Sequence, residues 1–245
     1  MRRLQGQVLY DEPSVVQDET QGVVEAAPTK EDLLSLAVRR LESWQYRYVK
    51  RTLDVTGALL MLVVFLIPGI LIALSILLTS PYPIFYSEKR IGRKGVPFRI
   101  WKFRSMRPHN APQRVAGTHT EGVVLQWRMD KRQPDPRVTL IGRFLRRWSL
   151  DEVPQVFNVL RGDMSLIGPR PIVKAETYCY KDWLPFYLAA TPGLSGLWQV
   201  SGRSDLDYDE RSKLDASYVQ NWSLKADFII FLKTLPAVLS RVGAR

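Results

Sequence analysis

The chain has 245 residues, 46% hydrophobic and 24% charged, enough to bury one core and supply a membrane element, and too apolar for disorder throughout. Its formal net charge of +11 asks for an anionic partner, and the charge is unevenly spread, because residues 1–32 hold seven acidic side chains against three basic ones. A single cysteine, Cys179, excludes an internal disulfide and fits a reducing compartment, while the presence of only His109 and His119 argues against a His-rich zinc or iron site and leaves a hard cation on carboxylates.

Residues 1–30 are polar, acidic and aperiodic, and read as a disordered tail with no secretory signal. From Glu31 the spacing of Leu33, Leu34, Leu36, Ala37, Leu41 and Trp44 predicts an amphipathic interfacial helix over 31–54, with Trp44, Tyr46 and Tyr48 suited to headgroup level. Val55–Leu78 is an uncharged run of 24 residues, the core of a membrane helix over 55–79. Pro68 divides it into arms of 13 and 10 residues, each about 15–20 Å long and about half a bilayer. Both flanks are basic, with Arg47, Lys50 and Arg51 before the run and Lys89, Arg90, Arg93 and Lys94 after it. A spanning helix concentrates its basic loop on one side, so the pattern favours a helix that enters, bends at Pro68 and returns; a kinked single span is the alternative.

Ile84–Tyr86 and Phe98–Phe103 read as a β-hairpin around Gly92–Gly95, with Phe98, Ile100 and Lys102 on one face. Residues 107–137 read as a loop, and Thr139 as the cap of a short helix through Arg147. The chain then reaches its most chemical stretch, Leu145–Pro171. Ser149 and Glu152 are spaced as a capping box, which places Asp151 and Glu152 in a first helical turn; with Asp151 as the cap instead, Pro154 falls in that turn at little cost. In either register two carboxylates sit at a helix mouth that favours their ionised form and attracts phosphate. Arg143, Arg146 and Arg147 precede them and Arg170 follows, while Gly162 marks a helix stop.

Tyr178–Ala190 reads as helical, Pro192–Gly196 as a flexible turn, Asp209–Asn221 as a polar helix and Phe228–Leu239 as an apolar helix in the core or on a membrane surface. Arg203, beside Gly202, is a candidate phosphate contact. No P-loop, dinucleotide fingerprint, nucleophile elbow or zinc spacing occurs. Asp205 and Asp207 form a D-x-D pair of the kind that holds a metal in ordinary glycosyltransferases, but capping and solvation explain them without one.

The ordered segments KRTLDV, EKRIGRKGVPFRIWKFRSM, DPRVTLIGRFLRRWSLDEVPQVFNVLRGDMSLIGPRP, PGLSGLWQVSGRS and LDASYVQNWSLKADF, from about Tyr48 to the end of the chain, resemble the bacterial sugar transferases, monotopic phosphoglycosyl transferases that use polyprenyl phosphate. The resemblance implies transfer of sugar-1-phosphate from a UDP-sugar to undecaprenyl phosphate, with release of UMP, as the first step of a surface polysaccharide. On it, Asp151 matches the nucleophile and Glu152 its partner, the pair holding Mg2+. Lys102, Arg146 and Arg170 match basic residues around the diphosphate, Arg203 a nucleotide-side arginine and Gln199 a base contact. Asp163 and Asp215 also fall at motif positions, where a structural role is as good a match. Ile67 stands where the family pattern has Ser before the helix-breaking proline.

The implied architecture is α+β and mostly helical, with a re-entrant membrane helix, a small β-hairpin and a cytoplasmic helical catalytic domain over 80–245 on the inner-membrane face. The chain looks like the short, catalytic-core form of the family. The GLWQVSGRS wording is closer to members that move galactose- or glucose-1-phosphate. The implied partners are UDP-sugar, undecaprenyl phosphate and the lipid bilayer; nucleic acid is not expected, and a homodimer is left open. The rival readings are a metal-dependent glycosyltransferase that releases UDP and a membrane-tethered basic binding protein.

Overall fold

The computed structural model describes residues 28–79, 83–106, 138–202 and 206–239. Most of the tail, the 107–137 loop, Arg203 and Asp205 therefore lie outside the described residues. Thr29 accepts from Asp32 N and opens α1 (Lys30–Glu42) with a reciprocal capping box. A π-helical turn, Gln45–Lys50, leads directly into α2 (Arg51–Thr79), giving one continuous helix of 35 residues, Gln45–Thr79.

The foot of α2 is tied into the domain by charge. Lys50 Nζ lies 2.7 Å from Asp227 Oδ2 and donates to Ile167 O at 2.9 Å. Asp54 Oδ1 accepts from Leu166 N and Ser165 Oγ, each at 2.9 Å. Arg51 donates to Val159 O at 2.6 Å and Leu160 O at 2.8 Å, the last carbonyls of the helix that follows the carboxylate pair.

Along its length α2 turns one stripe toward the domain. Ala58, Met61 and Leu62 pack with Ile100, Val156 and Val159, and beyond Pro68 the residues Ile72, Ala73 and Ile76 pack with Phe103 and Leu145. The recurrence at three and four residues is what a helix lying along a surface needs. The opposite face is apolar and exposed, including Leu60, Val63, Val64, Ile67, Ile70, Leu71 and Leu74.

The hairpin pairs β1 (Phe85–Ile91) antiparallel with β2 (Pro97–Phe103), Tyr86 opposite Lys102. Phe98, Ile100 and Lys102 turn inward as the alternation predicts. Phe103 departs from it, being buried against Ile76 and Leu145 and stacked on Phe85 at 5.4 Å. Thr139 Oγ1 accepts from Gly142 N at 2.9 Å and caps α3 (Leu140–Arg147).

The predicted capping box at Ser149 and Glu152 does not form. Ser149 adopts a left-handed conformation (φ 54°) with no side-chain cap, and Leu150–Gln155 winds as a 3-10 helix that continues into α4 (Val156–Arg161). Pro154 cannot donate to the helical ladder, and the chain takes the tighter winding through it. Glu152 N bonds Ser149 O, while the Glu152 carboxylate turns to Lys102. The local signal thus loses to a partner 50 residues away in sequence. Gly162, at φ 89°, does end α4.

The segment predicted as a flexible turn is a strand. β3 (Ser165–Ile167) pairs in parallel with β4 (Gly193–Ser195). The approach is so close that a Cβ on Gly193 would lie 2.1 Å from Gly168 N, so the glycines of GPRP and PGLSG are required by sterics. The predicted Tyr178–Ala190 helix is broken into α5 (Thr177–Tyr180) and α6 (Leu184–Ala189) by a 3-10 turn opened by left-handed Lys181.

After β4 come α7 (Leu197–Ser201), α8 (Tyr208–Gln220) and α9 (Leu224–Leu239). The main core joins Ala37, Leu41 and Tyr46 to Phe186, Ala190, Ala216, Val219, Trp222 and Ile230. Elements before and after α2 therefore share one apolar interior. α9 buries Ile230 there and leaves Phe228, Phe231, Leu232 and Leu235 exposed.

Candidate active site

Asn158, fully buried on α4, fastens that helix to β2: its Nδ2 donates to Arg99 O at 2.7 Å and its Oδ1 accepts from Trp101 N at 3.2 Å. This clamp holds Lys102, the next residue of β2, opposite the carboxylate turn. Lys102 Nζ meets Glu152 Oε1 at 2.5 Å. Lys102 is therefore tied to the carboxylate and does not extend into solvent.

The two carboxylates occupy different environments. Burial pushes Glu152 up, but Lys102, Arg170 and Arg90 outweigh it and bring its carboxyl down to about 2. Asp151, only 7% exposed, is shifted the other way: burial and the neighbouring Glu152 charge raise it, and Lys102 and Arg146 offset part of that rise. An adjacent pair whose titrations are driven apart is the electrostatic arrangement in which two carboxylates can take different roles.

Glu152 opens into a solvent-exposed cleft lined also by Arg90, Lys102, Gln155, Arg170, Leu194 and Gln199. Asp151 lies beside the cleft and does not line it, on the side influenced by Arg146, whose Nε donates to Ser105 Oγ at 3.0 Å. The Arg170 guanidinium stands 5.7 Å over the Trp198 ring, which carries Arg211 at 4.9 Å as well. Burial lowers Arg170, but Glu152 and Glu176 raise it further, so it stays charged. Arg90 Nη1 donates to Pro171 O at 3.2 Å, and Ile91 N bonds Ile172 O at 2.9 Å, which docks the hairpin onto the segment after β3 that presents Arg170.

Of the residues singled out in the sequence, Lys102, Glu152, Arg170 and Gln199 line one cleft, Asp151 and Arg146 adjoin it, and Arg203 is outside the described residues. Gln199 Nε2 donates to Leu194 O at 3.1 Å. Asp215 is fully buried and accepts from Tyr180 Oη at 2.8 Å, and burial raises its carboxyl to about 8, which fits a neutral structural group. Asp163 is the acceptor of Asn158 Nδ2 at 3.4 Å. The D-x-D reading loses one member, because Asp207 caps α8 by accepting from Glu210 N at 2.7 Å. Sequence reasoning missed Arg90, Asn158 and Trp198. Nothing local marks them; they matter through partners brought close by the fold.

Among the described residues no group of three or more His, Cys, Asp or Glu side chains could hold a metal. The carboxylates at the site are the adjacent Asp151 and Glu152. That fits magnesium, which is bound through one or two carboxylates with substrate phosphates and water completing its shell.

The family model described as "Bacterial sugar transferase" matches residues 45–241. The undecaprenyl-phosphate galactose phosphotransferase of Salmonella typhimurium is 44% identical over 201 residues, 81% of this chain. The exopolysaccharide production protein ExoY of Sinorhizobium fredii is 45% identical over 198 residues, covering 78% of this chain and 86% of that protein. The UDP-glucose:undecaprenyl-phosphate glucose-1-phosphate transferase of Caulobacter vibrioides is 41% identical over 203 residues, 80% of this chain and 71% of that protein. The chain spans less than half of the Salmonella protein, 42% of its length. The matched stretch contains the hairpin lysine, the carboxylate turn and the Arg170 segment, and on it the protein belongs to the bacterial sugar transferase family.

Proposed function

We propose that the protein transfers a hexose-1-phosphate from a UDP-sugar to undecaprenyl phosphate, releasing UMP and starting a surface polysaccharide. The observation that carries this is the split carboxylate pair: Glu152 held ionised by Lys102 and Arg170, with Asp151 raised beside it. A carboxylate with a raised pKa is, once ionised, the better nucleophile of the two.

In this mechanism an Asp151 oxygen attacks the sugar-bearing phosphorus of the UDP-sugar. The bond to the bridging oxygen breaks, UMP leaves with that electron pair, and an aspartyl-phosphate carrying the sugar remains. A phosphate oxygen of undecaprenyl phosphate then attacks the same phosphorus and displaces Asp151. Arg170 and Lys102 face the diphosphate and stabilise the charge that develops on it. The Trp198 ring lies under the Arg170 guanidinium, and Glu152 fixes Lys102. Asp151 and Glu152 would hold magnesium, which would supply further charge neutralisation.

The acceptor requires the site to sit at a membrane surface. The apolar exposed face of α2, with the exposed Phe228, Phe231, Leu232 and Leu235 of α9, supports membrane association. The shared core on both sides of α2 supports re-entry over a crossing, with the catalytic domain on the cytoplasmic face, where UDP-sugars are found.

Purified protein with undecaprenyl phosphate and a panel of UDP-hexoses is expected to release UMP. Asp151→Asn and chelation by EDTA are each expected to abolish that release. Release of UDP, or full activity of Asp151→Asn, overturns the mechanism.

A further inference from the structure

A second cavity lies at the foot of α2 and shares no lining residue with the catalytic cleft. It opens to solvent, and its lining includes Tyr46, Arg47, Lys50, Arg51, Asp54 and Arg93. Four of these six side chains are cationic and one is acidic.

Two of the cations are engaged by the fold. Lys50 is paired with Asp227, whereas Arg51 spends its donors on the neutral carbonyls of Val159 and Leu160, so its charge is not cancelled. Arg47 is exposed. The Arg93 guanidinium lies over the Tyr46 ring at 5.6 Å, and its buried Nε has no hydrogen-bond partner. An anion in the cavity would instead meet the cationic ends of Arg47 and Arg93, which no carboxylate pairs among the described residues.

The location suggests the anion. Exposed Trp44 and Tyr48 flank the cavity in sequence, and the uncharged run begins immediately after Asp54. Aromatic and cationic side chains in that arrangement collect at headgroup level, and basic pockets beside membrane helices take lipid phosphates. We propose that this cavity binds the phosphodiester headgroup of an anionic phospholipid, with Arg93 and Arg47 as its ligating cations. The inference rests on the placement of α2 in the bilayer.

The test uses the full chain in nanodiscs of phosphatidylcholine with or without phosphatidylglycerol, read by thermal midpoint and by lipid retained in native mass spectrometry. Phosphatidylglycerol is expected to raise the midpoint by a few degrees and to be retained. Arg47→Gln with Arg93→Gln is expected to remove the rise and to cut retention by about tenfold or more, the loss of two cations at a lipid phosphate. Arg47→Gln alone, at an exposed site that leaves the fold intact, is expected to lose part of it. Arg93→Lys is expected to retain most of it. Lys174→Gln with Lys225→Gln removes as much charge outside the cavity and is expected to change nothing. No rise in the wild type, or an undiminished rise in the double arginine variant, overturns the site. Inorganic phosphate reproducing the rise in phosphatidylcholine discs overturns the lipid as its source. Failure of the wild type to enter phosphatidylcholine discs at all overturns instead the membrane placement of α2.

Discussion

At the scale of single residues the site depends on which carboxylate the cations favour. Lys102 lowers both members of the pair, Glu152 directly through its ion pair and Asp151 through space. In the proposed mechanism Asp151 must be ionised to attack, so activity is expected to fall as pH drops through its raised pKa. Removing the lysine charge raises that pKa further. For Lys102→Met the acid limb of the kcat/KM profile for UMP release is therefore expected to move to higher pH, and the rate at the optimum to fall by about 10²-fold or more with loss of a cation at the diphosphate. Lys102→Arg retains the charge and is expected to leave the limb near its wild-type position. An unmoved limb in Lys102→Met would remove Lys102 from the electrostatics of the pair. The sequence exposed part of this: alternation in β2 put Lys102 on the inner face, and the adjacent Asp and Glu stood out. The direction of each shift was not legible, because it depends on Arg90, Arg146 and Arg170 converging from three separate segments.

At the scale of elements, the position of Arg146 beside Asp151 is set by how closely α3 approaches the end of the hairpin. A Cβ on Gly142 would lie 1.9 Å from Ser105 O, a backbone atom that cannot swing away. Gly142→Ala is expected to push α3 off that segment, to destabilise the fold by about 1–3 kcal/mol as overpacking does, and to lower UMP release by loosening the Arg146–Ser105 bond. Gly69→Ala is the matched control, because its Cβ would meet nothing closer than Phe103 Cζ at 3.9 Å. Denaturant unfolding in detergent separates the two, and equal stability of both variants would refute the close-approach argument. Helix existence was readable here from Thr139 as a cap. The close approach was not, since Ser105 and Gly142 are joined only by the fold. The same distinction explains β4: PGLSG has turn composition, and it becomes a strand only because β3 lies alongside.

At the scale of the whole molecule the question is on which side of the bilayer each end of α2 emerges. By composition the helix is long and apolar enough to cross, and both flanks are basic. Packing argues against crossing. Ala37, Leu41 and Tyr46 come before α2, Phe186, Ala216, Val219 and Trp222 come after it, and all seven lie in one core. The Tyr46 ring meets Trp222 edge to face at 4.8 Å, and Lys50 reaches Asp227 at 2.7 Å. A spanning α2 would pull this core apart across the bilayer, exposing its apolar side chains to water and separating Lys50 from Asp227. Single cysteines replacing exposed Glu42 and Val96, in a chain with Cys179→Ser, are therefore expected to react with a membrane-impermeant maleimide from the same side of oriented vesicles. Both should label in inside-out vesicles and neither in right-side-out ones. Labelling of the two from opposite sides would mean that α2 crosses, and the acceptor phosphate would then have to reach Asp151 by a different geometry from the one proposed.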